Sequence, residues 1–407
     1  MKILVVCQHY WPEPYPLTDI CEELVKRGHT VDLVTDVPNY PQGETYPGYI
    51  NGQRREEEHN GVKIFRTFTI PRKHNAICRL LNYYSFAISS TAFVKRLRED
   101  YDVVFTNQTS PVMMSSAAFT YGRMHNKKVV MYCMDLWPAC LAAGGITESS
   151  IIYKFFGCVS KRLYNKADKI LITSQMFRQY LEEQHGVNDK KIEYLPQYAP
   201  TQFEHMPETY QNKNTVDLMF AGNIGAAQNL QLVLAAADQL RTEDELRWHI
   251  VGDGSELANL KKYAQEKKLY NVIFHGRQPS QDMPKYYGMA DAMLVTLIPD
   301  PFISLTLPGK VQTYMAAGKP ILASASGEIP AVLSAARCGY CAAPGDVEAF
   351  VKVVKQFLQS DEKVEMGNKA REYYLDHFTK NHFMDHLESV LEKHVIPAHG
   401  RTTNIIN

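Results

Sequence analysis

The chain has 407 residues, 45% of them hydrophobic and 22% charged, the balance of a soluble globular protein with room for two ordinary domains. Lysine plus arginine and aspartate plus glutamate each number 44, so the net charge is zero, which argues against a general nucleic-acid binder. No apolar run reaches the roughly 18–20 residues that span a bilayer, and the eight cysteines are scattered, as expected of reduced thiols in a cytosolic protein.

The opening MKILVVCQHYWPEP carries five apolar residues in a row, too few for a secretory segment, and reads as a buried strand over 2–7. A helix is expected over 18–27. Further strand-like runs stand at 30–35, 62–66, 103–106, 128–133, 169–173 and 192–195. From 62 to 98 there are eight Lys or Arg, at 63, 66, 72, 73, 79, 95, 96 and 98, with no Asp or Glu. Tyr83, Tyr84, Phe86 and Phe93 interleave with them. Two readings stand: an anionic lipid surface recruits Arg72, Lys73 and Arg79, or the stretch is a solvated helix face over a buried apolar side. Asp135, in MYCMDLWPACL, lies at the carboxyl end of a strand and faces the expected cleft. It either handles the proton of a substrate hydroxyl or caps the helix that follows.

The polar, proline-containing stretch 196–215 is the best linker. A second series of strands follows at 216–221, 247–251, 272–275, 292–295, 320–323 and 339–342, with helices over 229–240, 255–268 and 347–360 and a helical, charged segment over 361–395. The alternation predicts an α/β protein of two Rossmann-like domains, 1–198 and 199–380, facing each other across a cleft. A helix over about 381–396 is expected to pack back on the first domain.

Three loops of the second half follow strands, where open α/β sheets bind ligands. AGNIGAAQN places Gly222 and Asn223 ahead of a helix, VGDGSE does the same with Gly252, and LPGK puts Lys310 at the start of a helix over 310–317. A cation is unfavourable at a helix N-terminus unless an anion sits there with it. Lys310 therefore reads as a phosphate ligand, or else as a solvated lysine on a turn. The glycines read as ligand-facing loops or as plain turns. No P-loop and no diphosphate-binding Asp-x-Asp occurs. The lone Cys338-x2-Cys341 and the His382/His386 pair lack further ligands, so no metal site is expected.

In order, these segments resemble glycosyltransferase family 4, with its GT-B fold. The likeness rests on KRGHTVDLVTDVPNYPQGETYPGY, DLWP, YLPQYA, FAGNIGAAQNL, VGDGSELANL, NVIFHGRQP, YYGMADAMLVTL, LPGKVQTYMAAGKPILA and PGD. PNYPQG, DLWP and LPGK are similar to a bacterial branch that builds O-antigen, capsule and related surface polysaccharides. The resemblance implies a retaining, metal-independent transfer from a nucleoside diphosphate sugar, with no cofactor. The donor implied is UDP-linked and N-acetylated or deoxy, and the acceptor is linked to polyprenyl pyrophosphate. Gly222 and Asn223 would face the diphosphate and Lys310 would grip it, with Gly252 and Gly309 also on the donor side. His275, Gly276, Arg277 and Gln278 would hold the base, while Ser304, Leu305, Thr306 and Leu307, with Gln312 and Thr313, would line the donor. Tyr15 would stand on the acceptor side, and the enzyme would work in the cytoplasm at the inner face of the membrane.

Four departures are visible. The family's two glutamates fall at Leu305 and Thr313; its basic loop residues fall at Asn223 and near Gln228; Tyr15-Pro16 replaces a pair of glycines; and Met134 stands where relatives carry histidine or arginine. A sugar-nucleotide epimerase of the same fold and a two-lobed binding protein are the alternatives.

Overall fold

The computed structural model describes residues 1–40, 42–72, 76–143, 146–204, 206 and 214–395, without the side chains of 76, 77, 79 and 143. In chain order the strands of the first half are β1 (Lys2–Val6), β2 (Thr30–Asp36), β3 (Glu56–His59), β4 (Val62–Thr67), β5 (Val103–Gln108), β6 (Val129–Cys133), β7 (Lys169–Ile172) and β8 (Ile192–Tyr194). They form one sheet in the order β3-β4-β2-β1-β5-β6-β7-β8. All pair in parallel except β3, which runs antiparallel to β4 at the edge. Its sequence, EEEH, has no apolar alternation to betray a strand, and its charges keep an open edge from pairing with another chain.

The helices of this half are α1 (Leu17–Lys26), α2 (Ala76–Val94), α3 (Ser116–His125), α4 (Ala139–Ala143), α5 (Ile151–Lys166) and α6 (Met176–His185). Helix α1 buries Leu17, Ile20 and Leu24 on one face of the sheet. Helices α2, α3, α5 and α6 cover the other, through Tyr83, Ala117, Phe156 and Phe177 among others.

The second half has β9 (Val216–Ala221), α7 (Leu230–Gln239), β10 (Leu246–Val251), α8 (Leu257–Glu266), β11 (Val272–Gly276), α9 (Met283–Met289) and β12 (Ala292–Thr296). It continues with α10 (Gly309–Ala316), β13 (Ile321–Ser324), α11 (Glu328–Ala336), β14 (Gly339–Ala342) and α12 (Val347–Gln359). Its sheet is parallel throughout, in the order β11-β10-β9-β12-β13-β14. The order reverses between β9 and β12, so the loops after those strands part and open a crevice.

The charged, helical segment over 361–395 comprises two helices, α13 (Lys363–His377) and α14 (Lys380–Lys393), the second lying where a helix over about 381–396 is expected. Thr379 ends the first and caps the second, its side chain accepting from the His382 amide. The break changes partners: α13 buries Ala370 and Tyr374 in the second half, whereas α14 buries Phe383, Met384 and Leu387 beside α1. Arg27 bonds Asp385 at 2.6 Å and Glu388 at 3.0 Å, and Lys380 bonds Asp19 at 2.7 Å. His386 pairs with Glu193 at 2.5 Å rather than with His382, and Cys338 and Cys341 form no disulfide.

Candidate active site

Two glycine loops of the second half are laced together at the crevice. Gly222 N donates to Val251 O at 3.0 Å, Gly252 N to Gly276 O at 2.9 Å and Ile224 N to Asp253 O at 2.8 Å. A Cβ on Gly252 would stand 1.9 Å from Gly222 O, and one on Gly254 2.4 Å from Ile224 O. Gly222 and Gly252 also sit at φ 139° and 141°. Only glycine fits such an approach, so these positions do more than turn the chain.

Lys310 reaches into this place from the first turn of α10. Tyr314, one turn on, anchors the helix by donating to Ala221 O at 2.9 Å and accepting from Ala221 N at 3.1 Å. That register lays the Lys310 ammonium 4.0 Å from the centre of the Phe220 ring, and a Cβ on Gly222 would meet Nζ at 3.4 Å. Its one hydrogen bond among the described residues is to Gln228 Oε1, at 2.5 Å, and no carboxylate lies within ion-pair range. The side chain keeps some exposure at the crevice, but its ammonium lies deep, and burial lowers its pKa from 10.5 to about 7. A buried cation with a neutral partner, at a helix N-terminus, is built for an anion.

The other expected donor residues divide. Asn223 and Arg277 are exposed at the crevice. The His275 side chain is spent on His249 (2.8 Å), which in turn meets Asp217 at 2.9 Å, and Gln278 donates to His275 O at 2.6 Å. At His275 the ring and the carbonyl are thus both engaged, and Gly276 O already accepts from Gly252 N. Ser304 donates to Pro301 O at 2.7 Å. Three residues stand away from the lysine. Leu305 packs its side chain against the first-half core and lends its carbonyl to Ser174 Oγ. Leu307 and Gln312 are fully buried, so neither side chain lines the crevice: α10 turns position 312 into the core beside Val311 and Met315. Thr313 donates to Gly309 O at 2.9 Å and borders a cavity of about 410 Å³. Gly309 shares that wall, with Asn107, Tyr132 and Met134 opposite and Gln197 beneath.

Across the crevice, Asp135 Oδ2 accepts from Ser110 Oγ at 3.1 Å, and Ser110 Oγ accepts from Trp137 Nε1 at 2.9 Å. The carboxylate thus answers to Ser110 rather than capping α4. Burial raises its pKa. Tyr15 is half-buried, its ring 5.7 Å from that of His9.

Residues that sequence reasoning missed stand at the carboxyl ends of β1 and β2. His9, Glu13 and Asp36 are all buried and bring ligand atoms within 4.8 Å of one another. Hydrogen bonds already use most of these atoms: Glu13 Oε2 meets His9 Nδ1 at 2.8 Å, and Glu13 Oε1 accepts the amides of Asn39 and Tyr40 at 2.6 and 2.7 Å. Burial, then the Glu13 charge, pushes the Asp36 carboxyl well above its ordinary range. No spacing motif links His9-x3-Glu13 to Asp36 in sequence; only the sheet joins them.

The basic stretch over 62–98 is not one surface. Arg66 is buried, donating to Glu57 (2.6 Å), Asp36 O (3.1 Å) and Trp11 O (2.5 Å). Arg72 lies 5.6 Å from the Tyr83 ring centre and 5.9 Å from that of Tyr40. Lys73 and the Arg79 side chain lie outside the described residues.

Two family models tile the chain: "Glycosyltransferase Family 4" matches residues 17–202 and "Glycosyl transferases group 1" matches residues 201–373. Together they span residues 17–373: the chain is a glycosyltransferase, with the family 4 model over its first half. The putative colanic acid biosynthesis glycosyl transferase WcaI of Escherichia coli is 29% identical over 388 residues, covering 88% of this chain and 92% of that one. Sucrose-phosphate synthase from Thermosynechococcus elongatus superposes with a TM-score of 0.75 at 16% identity, over 96% of this chain and 98% of its own. The Anabaena HepE structure in complex with UDP does so at 0.70 and 14%, over 97% and 100%. At these identities the structures establish the GT-B fold of this glycosyltransferase and leave its substrates open.

Proposed function

We propose that this glycosyltransferase moves a sugar, N-acetylated or deoxy, from a UDP-linked donor to an acceptor carried on polyprenyl pyrophosphate, in building a bacterial surface polysaccharide. The observation that carries the reading is Lys310: a deep ammonium with an amide for a partner, over two interlocked glycine loops. UDP in the HepE complex and the colanic acid role in the WcaI name support the donor and the pathway class.

In this reading the leaving diphosphate lies against Lys310, the first amides of α10 and the loop at Gly222. Charge placed in advance at a leaving group is often the largest catalytic contribution. The anomeric configuration is retained, and Lys310 with the amides takes the charge of the leaving group. The nucleoside runs toward the backbone of 275–276, and the cavity beside Thr313 takes the ribose without the usual glutamate. Asp135 orients the acceptor hydroxyl from the first half. A lipid-linked acceptor sets the enzyme to work at the inner face of the membrane.

The test is a panel of UDP-sugars with a short-chain polyprenyl pyrophosphate sugar, products read by mass. Elongated acceptor plus UDP is expected, and Lys310→Ala should cut turnover about a hundredfold or more and weaken UDP binding. Conversion of the donor with no acceptor present would identify an epimerase instead. UDP affinity untouched by Lys310→Ala would sink the phosphate assignment.

A further inference from the structure

We propose that the outer surface of α2, α3 and α5 docks the first half on an anionic phospholipid bilayer. The proposal gives the membrane reading above a definite face, and it rests on that reading only for its purpose. No aspartate or glutamate occurs on any of the three helices, in a chain whose net charge is zero. The acidic residues nearest in sequence, Glu99, Asp100, Glu148 and Asp168, lie beyond the helix ends, where Asp100 and Asp168 hold Lys127 and Lys128. Lys95, Arg96, Arg123, Lys154, Lys161 and Lys166 make no ion pair among the described residues.

The same layer exposes large apolar side chains: Leu80, Leu81 and Ile88 on α2, and Ile151, Ile152 and Phe155 on α5. Ile151 is 86% exposed and Ile88 67%. Both helices begin at the carboxyl edge of the sheet, the edge that carries Asp135 and the crevice. On α5 the apolar residues come first, and Lys161, Arg162 and Lys166 follow about 15 Å further along at 1.5 Å per residue. Between α2 and residues 112–116 runs a groove of about 520 Å³, lined by Tyr84, Ala87, Ile88 and Met113, with Lys95 and Arg96 where α2 stops.

Apolar side chains that enter the acyl boundary, ringed by cations for lipid phosphates, are the chemistry of an interfacial surface. A second copy of the chain is a poor occupant: a two-fold contact would set cations against cations. Docked this way, the crevice opens at the membrane plane, within reach of a lipid-linked acceptor.

Co-sedimentation of the full chain with phosphatidylglycerol/phosphatidylcholine vesicles, at low salt, tests this. Ile151→Ser/Ile152→Ser/Phe155→Ser and Lys161→Gln/Arg162→Gln/Lys166→Gln should each weaken binding about tenfold, as should removal of phosphatidylglycerol. Tyr270→Ser, at a residue 88% exposed on the second half, should change nothing. Full binding by either triple variant, an equal loss in Tyr270→Ser, or a dimer that the apolar variant dissolves would overturn the proposal. UDP binding, measured on the same samples, should hold in every variant; its absence from the parent chain would refute the donor reading and leave the vesicle result standing.

Discussion

UDP binding should take up a proton at alkaline pH, and Lys310 should be the group that accepts it. Bringing the lysine from 10.5 to about 7 corresponds to about 5 kcal/mol of desolvation, an order-of-magnitude figure. A bound diphosphate offsets that cost and lifts the pKa again. In the free protein the amine is neutral above about pH 7, so binding there must charge it. Affinity should then fall by up to about tenfold, or 1.4 kcal/mol, per pH unit above 7, until the pKa of the complex is reached. Titration calorimetry in two buffers of different ionisation enthalpy reads the proton directly. About one proton should enter at pH 8.5 and close to none through Lys310 at pH 6. In Lys310→Met the uptake at pH 8.5 should vanish, and the difference between the two proteins removes the ionisation of UDP itself. No uptake at pH 8.5, or the same uptake in Lys310→Met, would refute the reasoning.

Four further outcomes are expected. The folded pKa of Lys310 lies below its unfolded value, so the penalty is full below pH 7 and fades toward 10.5; Lys310→Met should raise the ligand-free melting temperature at pH 6.5 and do so far less at pH 10. Burial lowers His185 to about 4, so stability should drain as pH falls from about 6.5 toward 4, and His185→Gln should flatten that acid limb in pH-dependent denaturation. Gly252→Ala sets a Cβ against Gly222 O, a backbone atom, and should lose UDP binding together with about 2 kcal/mol or more of stability in urea titrations. Asp135→Asn should lower kcat about a hundredfold with UDP affinity unchanged; an unchanged kcat would remove Asp135 from the acceptor site.

The sheets were legible because their strands are nearly continuous apolar runs bounded by turn residues, as buried parallel strands must be. β3 was not, because EEEH has neither the residues nor the alternation of a strand; it pairs because β4 offers an open edge. Lys310 could be found from its clash with a helix dipole, but its depth could not, since that comes from Phe220 and the Tyr314 anchor, 90 and 4 residues away. Positions 305 and 312 looked like donor residues by their place in a motif. The fold gives one to the opposite half and the other to the core, which only the phase of α10 and the packing of the halves decide. His9, Glu13 and Asp36 share no motif; parallel pairing of β1 and β2 is what makes them neighbours.

The change of partners at Thr379 has a mechanical consequence. The backbone passes between the halves once through the segment after β8 and again between α13 and α14. Two crossings act as two pins: the halves can rock about the line joining them, but they cannot swivel freely as beads on a single tether would. A chain ending at His377 would keep Lys310 and both glycine loops but lose one pin, and with it Phe383 from the wall of the cavity beside Thr313, so its halves would meet in many orientations instead of one.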